Sequence, residues 1–138
     1  MMVNDRMSEY TVERAGKILN RCKKALNGSR VLVLGAASKQ DIDDYRESPA
    51  VRVMDEFRKA GTEVDYYDPY VPKYRNKDVW YASIPALTEE AVKSYDLVCI
   101  ATAHTKVDYA MVCRSGVPVF DCKNVCKGIE NRQNIETL

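Results

Sequence analysis

The most informative pattern along the chain is a short apolar run followed by a segment with helical spacing. Residues 31–35 begin with four consecutive apolar residues, which predicts a strand buried on both faces of a parallel sheet. Apolar residues then recur at three- and four-residue steps over 49–60, which predicts an amphipathic helix with Ser48 as its N-cap. A second strand is predicted over 63–68, where Asp68-Pro69 is a turn signal. This strand–helix–strand unit is the clearest prediction from the sequence.

Two more buried strands are predicted in the second half of the chain, over 97–101 and 117–121. Thr88 and Asp108 each precede a short helix as its N-cap, because their side-chain oxygens can accept from unpaired N–H groups. The second of these helices is expected to end at Gly116. Together the elements predict an α/β, Rossmann-like three-layer fold, with a mostly parallel sheet of four or five strands and helices on both faces.

In two segments the apolar residues follow neither helical nor strand spacing. Residues 69–87 are rich in Pro and Tyr and are predicted to be irregular, with one short strand considered at 79–81. The tail from Gly128 is polar and is expected to be loosely held.

One long helix is predicted ahead of the first strand, over residues 4–27, with Asn27-Gly28 as its stop signal. A long helix in this position is unusual for a fold that begins with a strand. We therefore divide the chain into 1–28, a helix from the end of a preceding domain, and 29–138, the α/β domain.

Composition narrows the class of protein. The chain has 138 residues and a formal net charge of +1, so no strong field favours nucleic acid or an acidic membrane surface as a partner. Apolar runs fall short of the ~20 residues that span a bilayer, and the N-terminus lacks a secretory signal. The five cysteines are an odd number, which favours reduced thiols and a cytoplasmic location.

The connection between the first strand and the helix at Pro49 is the main candidate site. Such loops usually take about 2–6 residues, whereas this one is roughly twice as long and densely charged. It follows a strand end, where open parallel sheets bind ligands, and Lys39 and Arg46 suit phosphate oxygens. The alternative is a solvated loop tied together by its own acids. Because Gly35 is followed by Ala37 and Gln40, the Gly-x-Gly-x-x-Gly signature of dinucleotide binding is absent.

Two candidate residues follow other strand ends. The segments Gly35 onward, 102–104 and 121–124 are expected to share one edge of the sheet. His104 is catalytic only with a partner, for which Cys122 is the one candidate, so a hydrogen-bonded structural histidine is favoured. Lys123 either meets a ligand that also lies over Lys39 or is a surface lysine. Cys122 and Cys126 make a poor zinc signature. A phosphoacceptor domain is excluded because Thr102 stands where it would need an aspartate.

The composite pattern resembles the C-terminal domain of the UDP-sugar 6-dehydrogenases, the UDP-glucose and UDP-N-acetylhexosamine dehydrogenases. The matching motifs are Gly35-x-Ala37-x-Lys39, Asp43-Asp44-x-Arg46-Glu47-Ser48-Pro49-Ala50, Asp68-Pro69-Tyr70-Val71-Pro72, Ala101-Thr102-x-His104 and Asp121-x-Lys123-Asn124-Val125. Residues 4–26 resemble the end of the family's central dimerisation domain. The likeness implies an enzyme, homodimeric at full length, that oxidises the C6 hydroxymethyl of a UDP-sugar to a carboxylate with two NAD.

The resemblance also assigns site residues. It implies that Ser38, Lys39 and Lys123 contact the UDP-sugar and that Arg46 contacts NAD across the domain cleft. Ser38 replaces an aromatic residue of the family, and Lys123 replaces an arginine, which removes bidentate geometry. The details of the long loop lean towards UDP-N-acetyl-glucosamine or -mannosamine as the substrate.

The chain contains neither the family's NAD-binding glycine motif nor its catalytic-cysteine segment. The isolated chain is therefore expected to bind nucleotide weakly and to catalyse nothing. The alternative is a free-standing, non-catalytic α/β module that binds a nucleotide or a protein partner.

Overall fold

The computed structural model of the chain describes residues 2–37, 45, 48–76, 78–126, 128 and 134–137, with the backbone alone for 2–6. In chain order the elements are α1 Met2–Arg21, β1 Arg30–Leu34, α2 Pro49–Lys59, β2 Glu63–Tyr67, β3 Lys73–Asn76, β4 Val79–Ala82, α3 Glu89–Lys93, β5 Leu97–Ile100, α4 Tyr109–Arg114, β6 Val119–Asp121 and β7 Ile135–Thr137.

Five of the strands form one parallel sheet in the order β2-β1-β5-β6-β7. The strands β3 and β4 form a separate antiparallel hairpin. The sequence prediction of a Rossmann-like α/β fold is confirmed.

The central strand β1 shows why its sequence is apolar without interruption. Val31 and Val33 pack into a core cluster with α1, α2 and the hairpin, whereas Leu32 and Leu34 pack into a second cluster with α3 and α4. All four side chains are fully buried. A strand covered on both faces by helices has no polar face, so period-2 alternation disappears.

All three predicted N-caps are confirmed. Ser48 Oγ accepts from Ala50 N at 3.1 Å at the start of α2. Thr88 Oγ1 accepts from Ala91 N at 3.1 Å, and Asp108 Oδ1 accepts from Met111 N at 3.1 Å. Each cap satisfies an amide that the first turn of a helix leaves unpaired.

Helix α1 ends six residues before the predicted position. Lys23, at φ 62°, adopts the left-handed conformation, and Lys24 N donates to Leu19 O at 2.9 Å. This Schellman-type end closes the helix without a glycine. The predicted stop, Gly28, instead forms the turn before β1, where its N–H donates to Gly61 O at 3.1 Å.

The hairpin β3–β4 falls within a segment predicted to be irregular, so that prediction was wrong for its first strand. Tyr74 is fully buried, and its ring centroid lies 5.2 Å from those of Tyr66 and of Tyr81. The Arg58 guanidinium stacks 3.7 Å from the Tyr81 ring centroid and so joins α2 to the hairpin. Aromatic packing, rather than a periodic pattern, holds this segment.

The tail also differs from its prediction, because residues 135–137 form the edge strand β7. Asn134 Nδ2 donates to Cys113 O at 3.1 Å and to Val117 O at 2.7 Å. Glu136 accepts from Arg14 at 3.0 Å and from Arg21 at 2.5 Å. The polar residues that suggested a loose tail are the ones that attach it.

Glu136 gives a test of this attachment. Burial raises the pKa of its carboxyl, but the hydrogen bonds from Arg21 and Arg14 outweigh that effect, and the net pKa is lowered. A lowered native pKa stabilises the fold above the unfolded-state value of ~4.3, and the effect is lost as the pH falls through the native value. We expect Glu136→Gln to reduce the free energy of unfolding by about 0.5–1 kcal/mol near neutral pH. Well below pH ~4 the substitution should leave the free energy of unfolding unchanged.

Urea unfolding followed by circular dichroism at both pH values checks this. Glu63→Gln is the control, because its side chain is 76% exposed and lies 3.5 Å from Arg30. An equal loss for both variants, or a loss that persists in acid, would contradict a role for the Glu136 ion pairs.

Candidate functional site

Three connecting segments meet at the carboxyl edge of the sheet. Because β1, β5 and β6 are adjacent and parallel, the residues after them lie side by side. These are Gly35 to Ala37, Thr102 to His104, and Cys122 to Asn124. The convergence expected from the sequence is therefore confirmed.

Asp68, directly after β2, holds the start of the long connection. Its side chain is completely buried, and its Oδ2 accepts from Ala36 N at 2.7 Å and from Ala37 N at 3.1 Å. The same carboxylate accepts from Tyr70 N at 2.7 Å and from Val71 N at 3.1 Å through Oδ1. Two connections from different strands are thus fixed to one side chain.

His104 supplies a fifth hydrogen bond to this carboxylate. Its Nε2 donates to Asp68 Oδ2 at 2.8 Å, and its side chain is fully buried. The Tyr70 ring packs 4.9 Å from the imidazole, and Tyr109 Oη donates to His104 O at 2.9 Å. The pairing of His104 with Cys122 that catalysis would need is not formed through Nε2. The hydrogen-bonded histidine favoured by the sequence is what the structure contains.

The Ala37 carbonyl joins the two ends of the long connection. It accepts from Ser48 Oγ at 3.2 Å and from Thr102 Oγ1 at 2.8 Å. Ser48 N donates in turn to Tyr45 O at 3.1 Å. The residue before the segment 38–47 and the residue after it are therefore directly bonded. Ser38, Lys39 and Arg46 lie outside the described residues.

Gly35 brings the backbone of the first connection close to β5. Its φ is +100°, and a Cβ at this position would lie 2.8 Å from Thr102 Oγ1 and 2.9 Å from Thr102 N. Its own N–H donates to Tyr67 O at 2.9 Å. Only glycine satisfies both the left-handed conformation and the close approach.

Asp121, the last residue of β6, organises the third segment. It is buried, and its carboxylate accepts from Lys123 N at 3.1 Å, Val125 N at 3.2 Å and Cys126 N at 2.8 Å. Asn124, at φ 58°, completes the turn. The Lys123 side chain is exposed, and Asp121 holds the backbone that carries it.

Lys123 also belongs to the wall of a cavity of about 100 Å³ at this edge. Pro49 and Ala50, at the N-terminus of α2, line it together with Ala101 after β5. The cavity therefore joins the start of a helix, where anions are favoured, to a cationic side chain.

The described residues do not form the usual dinucleotide cradle. Such a cradle needs free loop amides for the pyrophosphate and a free acid after the second strand for the ribose. Here Asp68 is that acid, and it takes the loop amides of Ala36 and Ala37 itself. In the part of the chain that the structure describes, no three metal-binding side chains cluster, and no helix is long and apolar enough to cross a membrane.

Sequence reasoning did not identify Asp68, Thr102, Ser48 or Asp121 as supports of the site. A shared signal was present, since Asp68 and Asp121 end predicted strands, Thr102 directly follows one, and Ser48 is the N-cap. What the sequence does not show is which amide each side chain reaches.

Replacing Gly35 tests the close approach at β5. Gly28 is a matched control, because its φ is +90° but nothing lies within 4 Å of an added Cβ. We expect Gly28→Ala to lower the free energy of unfolding by about 1 kcal/mol, the conformational penalty alone. Gly35→Ala should lower it by at least about twice as much. Equal losses in urea unfolding would show that the contact with Thr102 adds nothing.

Replacing Asp68 tests the five-donor carboxylate. Asn offers one oxygen in place of two, so Asp68→Asn leaves buried donors without an acceptor, and we expect a loss of about 3 kcal/mol in urea unfolding. Asp78→Asn is the control, because its side chain is 89% exposed and its φ of 70° suits Asn. The control should change stability by less than about 0.5 kcal/mol. A similarly small change for Asp68→Asn would contradict its anchoring role.

Comparison with known proteins places this arrangement in a family. The family model for the UDP binding domain of the UDP-glucose/GDP-mannose dehydrogenases matches residues 32–128. The UDP-N-acetyl-D-mannosamine dehydrogenase of Methanocaldococcus jannaschii is 30% identical over 135 residues, which are 98% of this chain and 27% of that protein. The UDP-N-acetyl-D-glucosamine 6-dehydrogenase of Salmonella typhi is 33% identical over 104 residues, 74% of this chain and 24% of that protein.

A solved structure agrees with the fold. The UDP-D-ManNAc dehydrogenase of Pyrococcus horikoshii superposes with a TM-score of 0.78 at 26% identity, covering 99% of this chain and 31% of that one. The chain thus spans about a quarter to a third of the length of these relatives. With its parallel sheet and the motifs at the carboxyl edge, the chain belongs to the UDP-glucose/GDP-mannose dehydrogenase family and represents its C-terminal UDP-binding domain.

Proposed function

We propose that this domain holds the UDP moiety of a UDP-N-acetylhexosamine while the full-length enzyme oxidises C6 to a carboxylate with NAD. The observation that carries the proposal is the junction at Ala37, which closes the long connection at the edge where Lys123 is exposed. Lys39 and Arg46 of the long connection, together with Lys123, are cations that suit a diphosphate, whose charge is spread over several oxygens.

Chain connectivity supports roles for the loop residues. Lys39 follows Ala37 by two residues in the sequence, and Arg46 precedes Ser48 by two, and Ala37 and Ser48 form the closed junction. A junction formed before the ligand arrives reduces the ordering that binding requires. We assign Ser38, Lys39 and Lys123 to the UDP-sugar and Arg46 to NAD across the cleft between domains. Lys123 acts as a point charge, where an arginine would bind bidentately.

The names of the relatives support the choice of sugar. The relatives from Methanocaldococcus jannaschii and Salmonella typhi are named for UDP-N-acetyl-D-mannosamine and UDP-N-acetyl-D-glucosamine. We therefore favour an N-acetylated hexosamine over glucose as the sugar.

We further propose that the rest of the enzyme supplies the NAD-binding site and the catalytic cysteine. In this domain the amides of Ala36 and Ala37 already donate to Asp68, so they cannot bind a pyrophosphate. Residues 1–28 would then end the central domain that forms the homodimer, and 29–138 would form the UDP-binding domain. The five cysteines, none of which is in a disulfide, suit a cytoplasmic enzyme.

Calorimetric titration of the chain with UDP, UDP-N-acetylglucosamine and NAD tests the proposal. We expect both uridine ligands to bind more tightly than NAD. Lys39→Ala and Lys123→Ala should each weaken UDP binding about fivefold or more, equivalent to ~1 kcal/mol. Because the contacts are ionic, added salt should also weaken binding.

Lys17→Ala is the matched control, because Lys17 is exposed on α1, away from the edge, and its loss changes the net charge equally. Lys123→Arg should retain or strengthen binding. Equal affinity for all three ligands, or equal effects of the three alanine variants, would contradict the proposal.

A further inference from the structure

Two thiols lie side by side where β5 and β6 end. Cys99 is in β5, and Cys122 directly follows β6, with 4.0 Å between their Sγ atoms. Because Cys99 pairs with Phe120 in the sheet register, Cys122 is its diagonal neighbour on the same face. Both cysteines are free thiols.

The cavity at the carboxyl edge gives access to this pair. Cys99 and Cys122 both line its volume of about 100 Å³, which exceeds the ~30 Å³ share of one water in the liquid. Cys122 is partly exposed, whereas Cys99 is 1% exposed. A molecule as small as hydrogen peroxide can therefore reach Cys122 first, with Cys99 behind it.

The surroundings divide the roles between the two thiols. The side chain of Lys123 and the start of the 11-residue helix α2 share the cavity wall with Cys122, so this thiol lies on the side from which a small molecule arrives. The hydrogen bond with Cys122 and burial raise the pKa of the Cys99 thiol, so Cys99 stays protonated. An accessible thiol beside a buried, protonated one is the arrangement of an attacking and a resolving cysteine.

We propose that Cys99 and Cys122 form a peroxide-sensitive dithiol, whose disulfide changes ligand binding at the adjacent Lys123. The first half stands on the thiol geometry alone, and the second half rests on the proposed function. The Cys122 thiolate attacks one oxygen of hydrogen peroxide and breaks the O–O bond, giving a sulfenic acid and hydroxide. Cys99 sulfur then displaces the sulfenic oxygen, its proton leaving with that oxygen as water. Overall, two thiols and one peroxide give one disulfide and two waters.

Closing the bond moves the turn that carries Lys123. The Sγ atoms must approach from 4.0 Å to about 2.05 Å. Asp121, directly before Cys122, holds the amides of Lys123 and Cys126 after it, so a shift of Cys122 is transmitted to Lys123. We therefore expect weaker nucleotide binding in the oxidised chain.

A second thiol pair serves as an internal comparison. Cys113 and Cys126 lie closer, at 3.3 Å, on the opposite face of the sheet. They are 2% and 0% exposed, and burial raises the pKa of the Cys126 thiol. The two sulfur atoms are close together, but an oxidant in solvent cannot reach them. This pair should therefore stay reduced under mild oxidation.

The chemistry is tested on the full chain carrying Cys22→Ser, which removes an exposed thiol able to link two chains. After hydrogen peroxide treatment and alkylation, mass spectrometry should show the loss of two hydrogens and a Cys99–Cys122 peptide that dithiothreitol releases. Cys122→Ser should abolish the change, and the control Cys113→Ser should not. With Cys99→Ser, dimedone should trap a sulfenic acid on Cys122. A Cys113–Cys126 link, no link, or a link surviving Cys122→Ser would overturn the proposal.

The coupling to ligand binding is measured separately. UDP affinity should fall about fivefold or more on oxidation, return with dithiothreitol, and stay constant in peroxide-treated Cys122→Ser. An unchanged affinity despite a confirmed link would overturn the coupling. If UDP fails to bind even the reduced chain, both the proposed function and the coupling are wrong. The mass spectrometry tests the thiol chemistry independently of UDP binding.

Discussion

The carboxylate of Asp68 is the interaction on which the binding edge depends. Loops at the ends of parallel strands leave amides without sheet partners, and buried amides without acceptors are destabilising. Asp68 accepts from four such amides and from His104, in a site closed to water. This one side chain thereby sets the relative positions of the segments after β1, β2 and β5.

The same solution appears at β6. Asp121 is likewise buried at a strand end and accepts from three amides of the following turn. Neither acid is free to meet a ligand, so the charge presented at this edge by the described residues after β6 comes from Lys123. The two acids thus support the loops from within, whereas the described cation after β6, Lys123, is exposed, which suits a phosphorylated ligand.

The sequence predicted the sheet, the caps and the convergence of strand ends, because these follow from local patterns. The run from Val31 to Leu34 and the cap at Ser48 are examples. It did not predict the hairpin β3–β4, where Tyr74 packs on the ring of Tyr45 from before α2, or the strand β7, where Glu136 meets Arg14 across 122 residues. Contacts of that range leave no period in the chain. Identifying Asp68 as the anchor required knowing which amides it reaches.

The bond between Ser48 and the Ala37 carbonyl has an evolutionary consequence. Because the two ends of the intervening ten-residue stretch are fixed to each other and to Thr102, changes in that stretch need not disturb the sheet beneath it. The entropy of closing a loop grows only slowly with its length, so insertions and deletions there are tolerated. With such a junction, the sequence of residues 38–47 can change to recognise another ligand while the sheet beneath it stays the same.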